Sequence, residues 1–171
     1  YRRISKKDSG NSWFDWEPTN KGYRYFKWER LRWKVLKNDG KTLLVVADKA
    51  VDYKPFDEEG RYVTWETCTL RKWLNDSFYH TAFSNSEQNA VVAQKVVNDN
   101  NPDYGTPGGN NTNDKVWLLS IGEVTNEQYG FCSYNEASMS RIVQPSSYTY
   151  AKGSRKDGCA WLLRSPAQNG N

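Results

Sequence analysis

Apolar and polar positions alternate from Tyr23 to Lys37. Leu31, Trp33 and Val35 alternate with Arg30, Arg32 and Lys34, a period of two that predicts a long strand with one wet, basic face. Phe26 and Trp28 take the opposite parity, which predicts a bulge near Glu29, where one extra residue swaps the faces. Asn38-Asp39-Gly40 predicts a hairpin turn, because glycine tolerates positive φ. Leu43-Leu44-Val45-Val46-Ala47, apolar on both faces, reads as a central strand. The period then changes. Leu70, Trp73, Leu74 and Phe78 fall at helical spacing, with Arg71, Lys72, Asn75 and Asp76 on the other side. Thr64, Thr67 and Thr69 can each cap that helix, since a threonine oxygen accepts from a free backbone N–H. The predicted core is Trp33, Trp65, Leu70, Trp73, Leu74, Phe78 and Trp117.

Farther on, Ser84 to Glu87 and Ser120 to Glu123 have capping-box spacing and predict two short helices, the second running to about Tyr129. The β-branched run at 91–97, Val116 to Leu119, and Cys159 to Leu163 read as strands. Asn98 to Asp114, rich in Asn, Gly and Pro, reads as a long loop of the kind that often carries function. Residues 130–158 read as irregular and polar. Residues 1–22 form a lead-in segment in which Trp13, Phe14 and Trp16 cover the core or face a ligand. Residues 23–171 read as one domain, with no repeat and no linker.

Composition turns this core aromatic. Hydrophobic content is 37%, yet aromatics reach 15%, with eight Trp and eleven Tyr. Net charge is +4, which is weak support for a polyanionic partner. The basic face of Arg30, Arg32 and Lys34 reads as a solvated strand face, since no nucleic-acid fold signature accompanies it. No run of about 18 apolar residues encodes a membrane span. The chain opens on Tyr1 with no signal peptide, which predicts a processed form or an excised piece.

Chemistry-bearing residues are sparse. The single His80 rules out a multi-histidine metal site. Cys68, Cys132 and Cys159 lie far apart, without the Cys-x-x-Cys of a zinc site; one disulfide with a free thiol, or three thiols, both fit. Asp99-x-Asn101-x-Asp103 has the alternating oxygens of a calcium loop, and Asp114 can close it; Gly105 falls one place late for an EF-hand. Tyr104, Asn110, Asn111 and Trp161 offer rings to stack on sugars and amides to bind hydroxyls. Arg164, directly after an apolar run, is the fifth ligand-binding candidate, since its charge needs a partner; in a structural role it would pair with a loop carboxylate such as Asp114. Glu66 reads as a first-turn acid favoured by the helix dipole, or as a general acid.

Several ordered blocks resemble a family of bacterial domains common in gut Firmicutes. They are Tyr23-Arg-Tyr-Phe-Lys-Trp-Glu with Trp33-Lys-Val-Leu36, Trp65-Glu-Thr-Cys-Thr-Leu-Arg-Lys-Trp-Leu-Asn75, Lys115-Val-Trp-Leu-Leu-Ser120 and Trp161-Leu-Leu-Arg-Ser-Pro166. The resemblance spans residues 23–166. It implies a compact α+β fold like that of C-type lectins and formylglycine-generating enzymes: a twisted antiparallel sheet, two to three short helices and long polar loops. Relatives continue past the last block, so a C-terminal strand is expected to be missing here. The edge of the first strand would then be filled by another chain or covered by residues 1–22.

The expected function is a non-catalytic recognition domain, extracellular or at a cell surface. It would bind a glycan or protein ligand through the loops at 98–114 and 150–171, with no cofactor or with calcium. One alternative is an oxidase of the formylglycine-generating type using a reactive cysteine, although the paired cysteines and the Gly-Gly-Ser-Trp segment of those enzymes are absent. Another is an assembly module that pairs through an open sheet edge.

Overall fold

The computed structural model describes residues 1–16, 22–134 and 139–169. Glu17 and Pro18, which follow the aromatic cluster in the sequence, lie outside the described residues. The fold is mixed α+β, with small two-stranded sheets and one main helical run. In place of one twisted sheet, the strands among the described residues pair as four separate ladders. The chain forms two compact units, Tyr1–Tyr53 with Thr125–Trp161, and Lys54–Val124 with Leu162–Asn171.

In the first unit, β1 (Arg2–Ser5) pairs antiparallel with β2 (Tyr23–Phe26), so residues 2–5 cover one edge of that strand. The long strand expected over 23–37 does not form. β2 ends at Phe26, and β3 (Trp33–Asn38) joins a different sheet. The change of parity read as a bulge therefore marks a break between strands, across an exposed stretch crowded with charge. β3 and β4 (Leu43–Ala47) form the expected hairpin. Its turn is pinned by Asp39, whose Oδ1 accepts from the N–H groups of Lys41 and Thr42 at 2.9 and 2.7 Å. Gly40 supplies a φ of +83°. The bulge lies inside this hairpin. Val35 faces Val45 and Lys37 faces Leu44, so Leu36 is the extra residue, and it is buried. β4 is not a central strand; its ladder has two strands, and Leu43 and Val45 are exposed.

β5 (Lys49–Ala50) pairs in parallel with β8 (Gln144–Pro145). The helix Ser147–Lys152 follows where the sequence read as irregular, capped by Ser146, whose hydroxyl accepts from Thr149 N–H. Ile4, Trp16 and Ala151 make the small core, with Phe14, Phe26 and Tyr148 against it. Trp16 and Phe14 thus cover the core, while Trp13 is exposed. Asp52 ties two cations of this unit, Arg2 at 3.0 Å and Lys152 at 3.4 Å.

The second unit is built on residues 69–82: α1 (Thr69–Trp73), a π-helical turn (Leu74–Phe78) and α2 (Tyr79–Ala82). None of the three threonines caps it. Cys68 does, its Sγ accepting from Arg71 N–H at 3.3 Å. Thr69 is already inside the helix; its N–H donates to Asp57 and its hydroxyl accepts from Glu58 N–H. Phe56, Trp65, Cys68, Leu70, Leu74 and Val96 form the core, with Trp73, Phe78 and Trp117 half-buried against it. Trp33, by contrast, lies in the first unit on the exposed hairpin.

α3 (Asn85–Ala90) starts at a full capping box between Ser84 and Glu87. α4 (Ile121–Val124) starts at the reciprocal bonds of Ser120 and Glu123. A 3-10 turn at Glu127–Tyr129 follows in place of a continued helix. β6 (Gln94–Val96) pairs antiparallel with β7 (Thr112–Asp114). The apolar runs at 116–119 and 159–163 join none of the four ladders. A bond from Arg164 N–H to the Leu119 carbonyl and a bridge between Val143 and Cys159 tie them instead. No helix among the described residues is long and apolar enough to cross a membrane.

Candidate functional site

The segment from Asn98 to Asn111 leaves β6 and returns as β7, and its asparagines hold it in shape. Asn98 is buried at the neck. Its N–H donates to Asn111 Oδ1 at 2.9 Å and its Nδ2 donates to the Asn110 carbonyl at 2.7 Å. Asn101, also buried, accepts at Oδ1 from the N–H groups of Asp103 and Tyr104, at 2.8 and 3.1 Å. This side chain imitates a backbone turn, as Asx residues do. Its Nδ2 donates to the Pro166 carbonyl at 2.7 Å, fastening the loop to the C-terminal segment. Thr106 Oγ1 adds a bond to the Gln168 carbonyl at 2.9 Å. Gly108 passes so close that a Cβ there would stand 2.3 Å from the carbonyl oxygens of both Asn98 and Asp99. Only glycine fits that approach.

Two buried charges brace the base of this loop. Asp114, 1% exposed, accepts from Trp65 Nε1 at 2.9 Å, from Arg71 Nε at 2.7 Å and from Thr112 Oγ1 at 2.6 Å. Arg164 donates to the Val97 carbonyl at 3.0 Å and the Leu118 carbonyl at 2.8 Å, and forms an ion pair with Glu123. Arg164 thus does not pair with Asp114, as the sequence suggested. Arg71 has taken that carboxylate, and Glu123, whose Oε2 also accepts from Ser120 N–H in the α4 cap, takes the other guanidinium. A buried charge is tolerated only when paired and hydrogen-bonded, and both meet that condition.

The loop presents little of this framework to solvent. Tyr104, 58% exposed, stands out on it, with Asp99, Asn100, Asp103 and Asn110 also exposed. Asn110 Nδ2 donates to both carboxylate oxygens of Glu66, at 3.2 and 3.1 Å, and Asn111 spends its Oδ1 on the neck. Trp161 belongs to the first unit, where its Nε1 donates to the Arg141 carbonyl at 2.9 Å. The residues expected to bind ligand are therefore divided: Tyr104, Asn110, Asn111 and Arg164 share one unit, and Trp161 belongs to the other.

Of the residues considered for calcium, Asp99 and Asp103 are exposed. The Asn101 and Asp114 side chains are committed to the bonds above. Among the described residues, no group of three or more His, Cys, Asp and Glu side chains lies placed to hold a metal ion. Cys68, Cys132 and Cys159 form no disulfide with one another. Cys68 is fully buried, and burial pushes its thiol pKa up, the opposite of what nucleophilic activation needs. His80, exposed, meets Gln88 Oε1 through Nδ1 at 3.1 Å.

Sequence reasoning missed Asn98, Thr106, Gly108 and the Arg71–Asp114 pair as the parts that shape this loop. The density of Asn and Gly between two β-branched runs was the available signal; the partners lie too far along the chain to be read from spacing.

Residues 39–171 match the family described as a domain of unknown function, DUF6273, and the chain belongs to that family. No curated protein and no solved structure matches it.

Proposed function

For this DUF6273 domain we propose a role as a non-catalytic recognition module, at a cell surface or outside the cell, on a scaffold of the lectin-like kind. The 98–111 loop binds a glycan or protein ligand through Tyr104 and the polar groups beside it. One observation carries the reading: a long polar loop is held rigid from beneath by buried Asn98, Asn101, Asp114 and Arg164, yet leaves a tyrosine ring exposed. A pre-shaped surface loses less entropy on binding than a mobile one, and an aromatic ring stacks on a sugar face or an apolar side chain. The loop holds no cysteine, and the burial of Cys68 weighs against the oxidase alternative. Glycan and protein arrays probed with the wild type and with Tyr104→Ala, with and without calcium, test it. Binding lost about tenfold or more in the variant at unchanged melting temperature supports the loop as the site. Wild-type binding that Tyr104→Ala leaves intact, or no binding to any probe, overturns it.

A further inference from the structure

Within the second unit, β6, the neck of the 98–111 loop, α4 and Arg164 border an open cleft of about 300 Å³. That volume stands at the small end of ligand sites. Lys95, Asp99, Trp117, Ser120, Glu123 and Arg164 line it. Their polar groups are only partly engaged with one another. Arg164 is 5% exposed, and a guanidinium has five N–H donors. Four are used: Nε and one Nη2 donor on the Val97 carbonyl, and the Nη1 pair on the Leu118 carbonyl and Glu123. The fifth, on Nη2, has no acceptor among the described residues, and an unmade bond on so buried a group is costly. Glu123 Oε2 accepts from Arg164 and from Ser120 N–H, while its Oε1 accepts from nothing among the described residues. Ser120 Oγ accepts from Glu123 N–H at 3.2 Å and keeps its own proton to donate. Lys95 and Asp99, both exposed, form no ion pair and no side-chain hydrogen bond among the described residues. Trp117 is half-buried: it packs against the core and also lines the cleft, and its indole N–H has no acceptor among the described residues.

Charge and hydrogen-bonding capacity together say what fits. Lys95 and Arg164 are balanced by Asp99 and Glu123, so the cleft as a whole is neutral. An anion would be repelled by the two carboxylates, and a metal ion by the two cations. A zwitterionic amino acid would call for a bidentate grip on its carboxylate, and Arg164 has one N–H left where that grip takes two. An apolar ligand would strip water from every open donor and acceptor and replace none of its bonds. A sugar ring is uncharged, its hydroxyls both donate and accept, and its C–H face stacks on an indole.

We infer that this cleft is a saccharide subsite that takes one ring of a neutral glycan. The inference rests on the recognition role proposed above and gives the ligand a second grip, at the neck of the loop and independent of Tyr104. Titration of the full chain with lactose, maltose, cellobiose and diacetylchitobiose, followed by saturation-transfer NMR and indole fluorescence, tests it, with glucuronate and glucosamine as charged probes. At least one neutral sugar should bind, and more tightly than either charged probe. Lys95→Ala and Asp99→Ala, both at exposed positions, should each weaken that binding about tenfold or more while the melting temperature holds. Trp117→Phe keeps a ring against the core and should lose the fluorescence change that accompanies binding. The inference is overturned by no binding of any neutral sugar, by tighter binding of a charged probe, by sugar binding that either alanine variant leaves unchanged, or by a fluorescence change that persists in Trp117→Phe. Sugar binding lost in Lys95→Ala and kept in Tyr104→Ala upholds the cleft and removes the loop; the reverse upholds the loop and removes the cleft.

Discussion

Arg71 and Asp114 meet at 2.7 Å, one on the main helix and the other at the end of β7, and the carboxylate is closed off from water. The same carboxylate accepts the indole N–H of Trp65, the largest fully buried side chain of the core. A single acid thus joins helix, strand and core at the base of the 98–111 loop. Asp114→Ala would leave a buried indole donor and a guanidinium without their acceptor. Breaking a buried pair from one side costs about 3–5 kcal/mol. The variant should unfold at a clearly lower urea midpoint than the wild type; a midpoint within the error of the wild type would show that the pair is not structural.

Asp57 accepts from Arg61 Nε at 3.0 Å and from Thr69 N–H at 3.2 Å. The Arg61 guanidinium, more than any other group, holds its carboxyl down from 3.8 to about 2. The depressed value means the folded state favours the ionised acid. Its stabilisation is complete above pH ~4, the unfolded range, and is lost as pH falls through about 2. Melting temperature should therefore fall between pH 4 and pH 2. Asp57→Asn should flatten that fall, and identical slopes in the two proteins would remove Asp57 as its cause.

Cys68 is shut inside the second unit, while Cys132 and Cys159 are half-buried. Timed labelling with a thiol-specific reagent at pH 8 should modify Cys132 and Cys159 in the native protein, and Cys68 only when denaturant is added. Rapid native labelling of Cys68 would contradict its burial and reopen the thiol-enzyme reading.

Local signals proved readable. The caps at Ser84 and Ser120 each need only an acid three residues on, and the Asn38–Gly40 turn needs only its own side chains. Leu70 and Leu74 announce an apolar helical stripe by spacing alone. What depended on distant partners was hidden. Val116 to Leu119 and Cys159 to Leu163 are apolar enough for strands, but an apolar run does not say whether a neighbour will supply a ladder. The helix at 147–152 was masked because Tyr148, Thr149 and Tyr150 favour strands, and its cap, Ser146, has no acid three residues on. In the loop, composition showed that the asparagines mattered. It did not show that Asn98 and Asn101 turn inward while Tyr104 turns out.

The π-helical turn at Leu74–Phe78 has a consequence for how this helix tolerates change in length. A wider turn holds one residue more than an α-helical one, so the side chains after it are rotated against the first stripe, and Tyr79, not Phe78, is the one fully enclosed. Deleting Ser77 would let the run relax into regular α-helix, and because the wider turn gives up only its extra residue, the later side chains would keep close to their present facing. Tyr79 would then stay on the core side, where its hydroxyl donates to the Gln88 carbonyl. Here the helix has room to lose a residue, whereas a deletion in the α-helical turn before it would swing the stripe by about 100°.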